Sequence, residues 1–342
     1  MTRAAVISGL GAFVPPRVVT NDMLAAELDT SDEWIRTRTG ISRRHVIDPG
    51  MSTGHLATEA GRRALASAGV TGVDAVVLAT STPDRPCPAT APLVATRLGL
   101  GGVAAFDVAA VCTGFVYALA TAAGLIATSV ADTALVIGAD TFSTILDPAD
   151  RTTRVIFGDG AGAVVLRAGD RAEPGALRGF DLGSDGEGVD LITVPGGGSE
   201  ERSHGGAPAA SESYFRMEGP QVFTRAVRHM AGSVRNTLEK AGWSAEDVGL
   251  LVPHQANVRI LDTCARQLGI PADRVAKNID RVGNTVAASI PLALADAAAN
   301  GLLKAEQRVV LTGFGGGLSW GSAALTWPEL DSRGINDLQH EK

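Results

Sequence analysis

Phe106-Asp-Val-Ala-Ala-Val-Cys112-Thr-Gly-Phe-Val-Tyr117 is the stretch on which the reading of the chain turns. The residues before Cys112 read as a short buried strand, and Gly114 to Thr128, Ala-rich and without a charge, as a helix. Cys112 then stands on the turn between them. A helix N-terminus offers unpaired N–H groups and a partial positive charge, which favour thiolate over thiol and can hold an oxyanion beside the sulfur. Taken alone, a single cysteine is equally a small buried hydrophobe, so the choice between the two readings rests on the rest of the sequence.

Of the 342 residues 45% are apolar, enough for a substantial core in one large domain or two ordinary ones. Aromatic residues are only 4% against 41 glycines, so the core must be built from Ala, Val, Leu and Ile with many tight turns. Cys87, Cys112 and Cys264 are an odd number and far apart, which is no disulfide framework and suits a reducing compartment. Val6 to Leu10 is too short for a signal region and runs into Gly11 and Pro15-Pro16, and no stretch is long and apolar enough to span a bilayer. The expectation is a cytoplasmic protein with no membrane partner. A net charge of −7 argues against nucleic acid as a partner while allowing a local basic patch.

Strand-like runs alternate with Ala-rich helical ones: Ala75 to Ala79, the Cys112 strand and helix, Thr133 to Ile137, then Gly162 to Leu166. This is an α/β pattern. The second half repeats it with Val248 to Val252, Val275 to Ile279 leading to Asn284 and a helix from Ala287, then Arg308 to Leu311 and Ser322 to Thr326. Corresponding positions are about 174, 172 and 174 residues apart (250 against 76, 284 against 112, 309 against 135), the trace of a duplicated domain. Two mixed-sheet halves are expected, 1–172 with the cysteine and 173–327 with its partners, followed by a polar tail at 328–342. Their corresponding turns would converge near a pseudo-twofold axis. Pro195 to Ser211, polar and rich in Gly, Pro and Ser, reads as a surface loop, either a cover for the site or a plain insertion.

His254 lies at the end of a second-half strand in Val252-Pro-His-Gln-Ala-Asn257, and Asn284 in Gly283-Asn-Thr285 on the turn matching Cys112. Singly, each has a plain structural reading, a hydrogen-bonded histidine and a turn asparagine. Together they put a thiol, an imidazole and a carboxamide at the C-terminal ends of duplicated strands, where open α/β sheets bind ligands. Gly313-Phe-Gly-Gly-Gly317 follows a strand, and backbone N–H groups bared by glycine suit an oxyanion hole.

From Gly9-Leu-Gly-Ala-Phe-Val-Pro15 to Trp327 the chain resembles the β-ketoacyl-acyl carrier protein synthase III enzymes of the thiolase superfamily. The motifs are Asp32-Glu-Trp-Ile35, Thr39-Gly-Ile41, Phe157-Gly-Asp-Gly-Ala-Gly-Ala163, Val252-Pro-His-Gln-Ala-Asn257, Gly283-Asn-Thr285 and Gly313-Phe-Gly-Gly-Gly317. The resemblance implies a five-layered αβαβα thiolase fold, a homodimer, and a Claisen condensation of an acyl-CoA primer with malonyl-acyl carrier protein. Cys112 would take the acyl group, with the N–H groups of Cys112 and Gly316 holding its oxyanion. His254 and Asn284 would donate to the enolate formed as CO2 leaves. No metal and no cofactor is called for, coenzyme A arriving as a substrate thioester. Trp34 and Arg151 match positions where the family stacks the CoA adenine, with Arg38 near for phosphate. Arg259 and Arg266, seven apart on one helix face, are either a solvated face or the dock for an acidic carrier protein. The loop of Pro86-Cys87-Pro88 reaches the acyl pocket across the dimer in this family. Biosynthetic thiolases carry a cysteine where this chain has Gly313, elongating synthases resemble Cys-His-His rather than a set ending in Asn284, and a non-catalytic partner subunit would lack Cys112. An acyl transfer from Cys112 to an oxygen or nitrogen nucleophile is the alternative activity.

Overall fold

The computed structural model describes residues 3–205 and 209–330. The apolar runs of the first half become β1 (Arg3–Phe13), β2 (Ala75–Ala79), β3 (Ala104–Val108), β4 (Thr133–Asp140) and β5 (Gly160–Asp170). Those of the second become β6 (Leu177–Ser184), β7 (Leu250–Pro253), β8 (Arg308–Gly315) and β9 (Ser319–Thr326). The first sheet runs β1-β5-β4-β2-β3, antiparallel at its first two pairings and parallel at the others. The second runs β6-β9-β8-β7 with the same senses, and where the first sheet has β3 it has a single parallel bridge from Leu251 to Val275.

The strand expected over Val275 to Ile279 thus shrinks to one bridge. The buried amide of Gln255 takes the place of further ladder bonds, its Nε2 donating to Ala276 O (3.1 Å) and its Oε1 accepting from Asn278 N (3.1 Å). A one-turn helix follows at Ile279–Val282.

The helices around the sheets are α1 (Asp32–Thr39), α2 (Thr53–Ala68), α3 (Ala91–Arg97), α4 (Gly114–Ala127), α5 (Gly219–Ala241), α6 (Val258–Leu268) and α7 (Ser289–Ala299). α2 and α3 cover the outer face of the first sheet, α5 that of the second with α6 packed beside it, and α4 and α7 lie between the sheets. The layers are therefore α, β, α, β, α. A central helix has no face for water: α4 carries no charge, and Ser289 to Ala297 of α7 are buried without a break. Leu119 of α4 is fully buried, and cutting such a side chain to Ala costs about 2–5 kcal/mol. No helix among the described residues is long and apolar enough to cross a membrane.

The chain passes between sheets from Asp170 to Leu177, where Ile7 N bonds Gly175 O at 2.9 Å. Part of the polar loop is ordered, as a helix at Ser199–Ser203, while 206–208 and the tail from 331 lie outside the described residues.

β8 begins 175 residues after β4 (308 against 133), and Val286 follows Val111 by the same interval. Both valines have left-handed backbone, φ 52° and 45°, at the start of the turns that lead into α7 and α4. The residue opposite Cys112 is therefore Ala287. Asn284 lies opposite Ala109, three residues earlier than the sequence comparison placed it, because the shared left-handed turn sets the register and the asparagine precedes it.

Candidate active site

Cys112 occupies a single 3-10 turn, Val111–Thr113, between β3 and α4. A β-branched residue in the left-handed region costs on the order of 1–3 kcal/mol, so the bend at Val111 must be held from outside. Thr113 does this: its Oγ donates to Ala110 O (2.6 Å) and lies 2.7 Å from Ser319 Oγ on β9. Opposite the turn, β8 must be glycine. A Cβ on Gly315 would fall 2.8 Å from Cys112 Cβ and 2.9 Å from its amide nitrogen, and one on Gly313 would fall 3.3 Å from Cys112 O. Gly316 comes one residue later, against Ile192 and Val111.

Cys112, His254 and Asn284 line one 40 Å³ cavity. Its apolar wall is an aromatic trio, Phe142, Phe157 and Phe215, with ring centroids 4.6 to 5.1 Å apart. His254, at the end of β7, has Nδ1 2.5 Å from Ser289 Oγ at the start of α7, and the same oxygen accepts from Gln255 N at 3.4 Å. The hydroxyl can give its proton to Nδ1 or accept one from it; the first arrangement puts the ring hydrogen on Nε2, and it is the one that the enolate chemistry expected from the sequence requires. Burial pushes the imidazole down to about 3, so it is neutral and has one N–H to offer. Asn284 is fixed in one sense. Its Oδ1 accepts from Val286 N (3.0 Å), which reserves its NH2 for the cavity, and its backbone is clamped by Ile156 O and Gly158 N at 2.9 Å each.

The thiol departs from expectation. Burial, and then the charge of Asp140, push Cys112 well above the ordinary thiol range, its own backbone N–H pulling the other way. The resting site holds a thiol, because desolvation outweighs the pull of the helix start.

A 680 Å³ cleft leads from the surface to Asn284 past Thr152, Asn257 and Arg259. Outside its lining, Ser31 Oγ caps α1 by accepting from Trp34 N (3.1 Å), and Trp34 is left 36% exposed. Arg38 and Arg151 lie over its indole at 5.9 and 5.7 Å, within cation–π reach. Arg151 is also bonded to Asp29 O at 2.6 Å, so the three candidate coenzyme residues meet in one cluster. Asn257 joins this cluster to α6: Oδ1 caps the helix by accepting from Arg259 N, and Nδ2 donates to Arg38 O, both at 2.9 Å. Arg259 and Arg266 are exposed along α6. Cys87 is exposed on the loop after β2 and does not line the cavity of its own chain.

Ser289, Phe142 and Phe215 are residues that sequence reasoning did not single out, and Gly315 and Phe157 were quoted only as members of longer motifs. The only signal for Ser289 was a polar residue opening an Ala-rich helix.

The chain's residues 106–186 match the family model of 3-oxoacyl-[acyl-carrier-protein (ACP)] synthase III, and 238–327 the model of that family's C-terminal part. It is 59% identical over 330 residues to a β-ketoacyl-[acyl-carrier-protein] synthase III of Pseudomonas aeruginosa, covering 96% of this chain and 98% of that one. The chain belongs to the β-ketoacyl-acyl carrier protein synthase III family. A Streptomyces coelicolor member is 58% identical over 330 residues, with 96% and 99% covered. The crystal structure of the 3-oxoacyl-(acyl carrier protein) synthase III from Pseudomonas aeruginosa superposes with a TM-score of 0.90 at 57% identity, covering 96% of this chain and 99% of that one. The thiolase-like fold of two mixed-sheet halves thus stands as expected.

Proposed function

We propose that the chain condenses an acyl-CoA primer with malonyl-acyl carrier protein, giving β-ketoacyl-acyl carrier protein, CoA and CO2 as the first step of fatty-acid or polyketide-type synthesis. The observation that carries this is the single cavity in which the Cys112 thiol faces two neutral donors, His254 Nε2–H and the Asn284 NH2. Cys112 attacks the thioester of acyl-CoA while its own N–H and that of Gly316 hold the oxyanion, and the thiol proton leaves with CoA. The malonyl group then loses CO2, and the negative charge that reaches its thioester oxygen is met by His254 and Asn284. The enolate carbon attacks acyl-Cys112 and expels the sulfur as thiolate. A site that raises the thiol's pKa favours its taking a proton at once, which completes the cycle.

Trp34, Arg38 and Arg151 are proposed to hold CoA, and the exposed Arg259 and Arg266 to dock the acidic carrier. A homodimer fits the free edge of the first sheet. β3 is its last strand, with Phe106 and Val108 only half-buried, and Asp107 anchors the Cys87 loop by accepting from Thr90 N (2.7 Å) and Ala91 N (2.8 Å). A copy added there would receive the Cys87 loop at its acyl pocket. The free cysteines fit a cytoplasmic setting.

The test is to incubate the pure protein with a panel of acyl-CoAs, read the mass added at Cys112, and then add malonyl-acyl carrier protein. Acyl mass at Cys112 that disappears as β-ketoacyl-carrier forms is the expected result; label at Cys87 or Cys264, or a stable acyl-enzyme, overturns it.

A further inference from the structure

The strand-to-helix turn is built twice, and what faces it differs. In the first half β8 brings Gly313 against the carbonyl of Cys112 and Gly315 against its amide nitrogen. In the second, β4 brings Gly138, the counterpart of Gly313 at the 175-residue interval, to within 2.3 Å of Ala287 O from an added Cβ. Two residues further, where β8 has Gly315, β4 has Asp140. Its Oδ2 accepts from Ala287 N at 3.0 Å, and Ala287 is the residue opposite Cys112. Oδ1 accepts from Ser81 N (2.7 Å), Thr82 N (3.1 Å), Thr82 Oγ (3.0 Å) and Thr80 Oγ (3.3 Å). Asp140 is fully buried; burial raises its carboxyl to about 7, and the N–H and O–H donors of Ser81, Ala287, Thr82 and Thr80 pull the other way, so the carboxylate form is held by those donors above that pH.

By the 175-residue correspondence of the two turns, Ala287 N–H is the counterpart of Cys112 N–H, so Oδ2 takes the bond that the thioester oxyanion would take in the first half. The turn it grips is the one from which the donors for the enolate hang: Asn284 is tied to Val286 N, and Ser289 meets His254 Nδ1. We propose that Asp140 is a positioning residue for the malonyl half-reaction, its carboxylate filling the second half's copy of the oxyanion place and thereby holding Asn284 and Ser289 in register with Cys112. This rests on the functional reading above but names a residue outside its chemistry.

Asp140→Asn tests it. The amide oxygen keeps the four donors of Oδ1, and the NH2 is left against Ala287 N–H, donor against donor. Decarboxylation of malonyl-carrier by the acyl-enzyme should fall about 10- to 100-fold from misplaced donors, while acylation of Cys112 stays within about threefold. Asp140 is the charged group that acts on Cys112, and His254, which lines the same cavity, is neutral, so removing the carboxylate charge should also lower the pH midpoint for Cys112 alkylation by iodoacetamide. A general loss of structure would reduce both half-reactions alike. That result, or an unchanged malonyl step, or a midpoint that does not fall, overturns the proposal. If the Asn variant does not fold, Asp140→Gly, which copies Gly315, is assayed with and without formate. Formate restoring the malonyl step supports the carboxylate's role, and equal rates with and without it refute that role. Wild-type decarboxylation run alongside separates the two ideas: if it is absent, the functional reading fails, while the alkylation midpoint still tests Asp140.

Discussion

At Val111 the residue after the left-handed bend is a thiol and the facing strand offers Gly315; at Val286 the residue after the bend is the methyl of Ala287 and the facing strand offers the carboxylate of Asp140. One backbone design thus serves two ends. Where the facing residue is glycine, the turn's N–H is open to a substrate oxygen, and where it is a carboxylate, that N–H is already satisfied and the turn is rigid. Duplication supplied the geometry, and the side chains divided the work, nucleophile on one copy and support for the enolate donors on the other.

The largest effect should come from removing the nucleophile. Cys112→Ala should abolish acyl mass from acyl-CoA altogether, read by intact-protein mass spectrometry, and residual stoichiometric label would move the chemistry off the first turn. Next, His254→Ala or Asn284→Ala should each lower malonyl decarboxylation about 100- to 1,000-fold, the cost of one donor to a developing oxyanion, with less loss in acylation. Equal losses in both steps would erase the division between the turns. Closing the open turn should also be severe: Gly315→Ala puts a methyl 2.9 Å from Cys112 N, and acylation should fall by about 10²-fold or more, measured as the acylation rate with excess acyl-CoA.

The pH dependence sharpens the comparison. Because His254 is depressed to about 3 it is neutral from there upward, whereas burial raises Asp140 to about 7, so a rise in the decarboxylation rate through neutral pH should belong to Asp140 and be absent from Asp140→Asn. A step that persists in Asp140→Asn would mean that the imidazole cycles its charge. The smallest effect belongs to the surface. Charge reversal at Arg259 and Arg266 should raise the KM for malonyl-acyl carrier protein several-fold at low salt, fading as ions screen the exposed charges beyond roughly 8 Å. An equal change with malonyl-CoA would place those arginines outside carrier docking.

Much of the site was legible because its signals are local. A strand that stops just short of Cys112, the charge-free helix α4 that follows it, and the glycines that close β8 are written in consecutive residues. Trp34, Arg38 and Arg151 were pointed to by the family resemblance, because Arg151 is more than a hundred residues from the other two in the chain. The counterpart of Cys112 was missed by three residues, since aligning the halves on their polar residues put Asn284 in the nucleophile's place, whereas the shared feature is the bend at Val286, and a valine's φ leaves no mark in composition. Val275 to Ile279 looked like a strand because its apolar ends are strand-like, yet the amide of Gln255, some twenty residues away, supplies the bonds a strand would have made.

The sequence by itself determined the α/β class, the duplication, the three chemical groups of the site and the family, because hydrophobic period, turn residues and motif spacing act over short lengths of chain. Only the tertiary structure decided which imidazole nitrogen meets Ser289, which end of the Asn284 amide faces the cavity, and that the Cys112 thiol is protonated at rest. Those depend on Ser289, Val286 N and Asp140, groups brought into contact by the packing of α4 and α7 between two sheets, and on the loss of water that this packing causes.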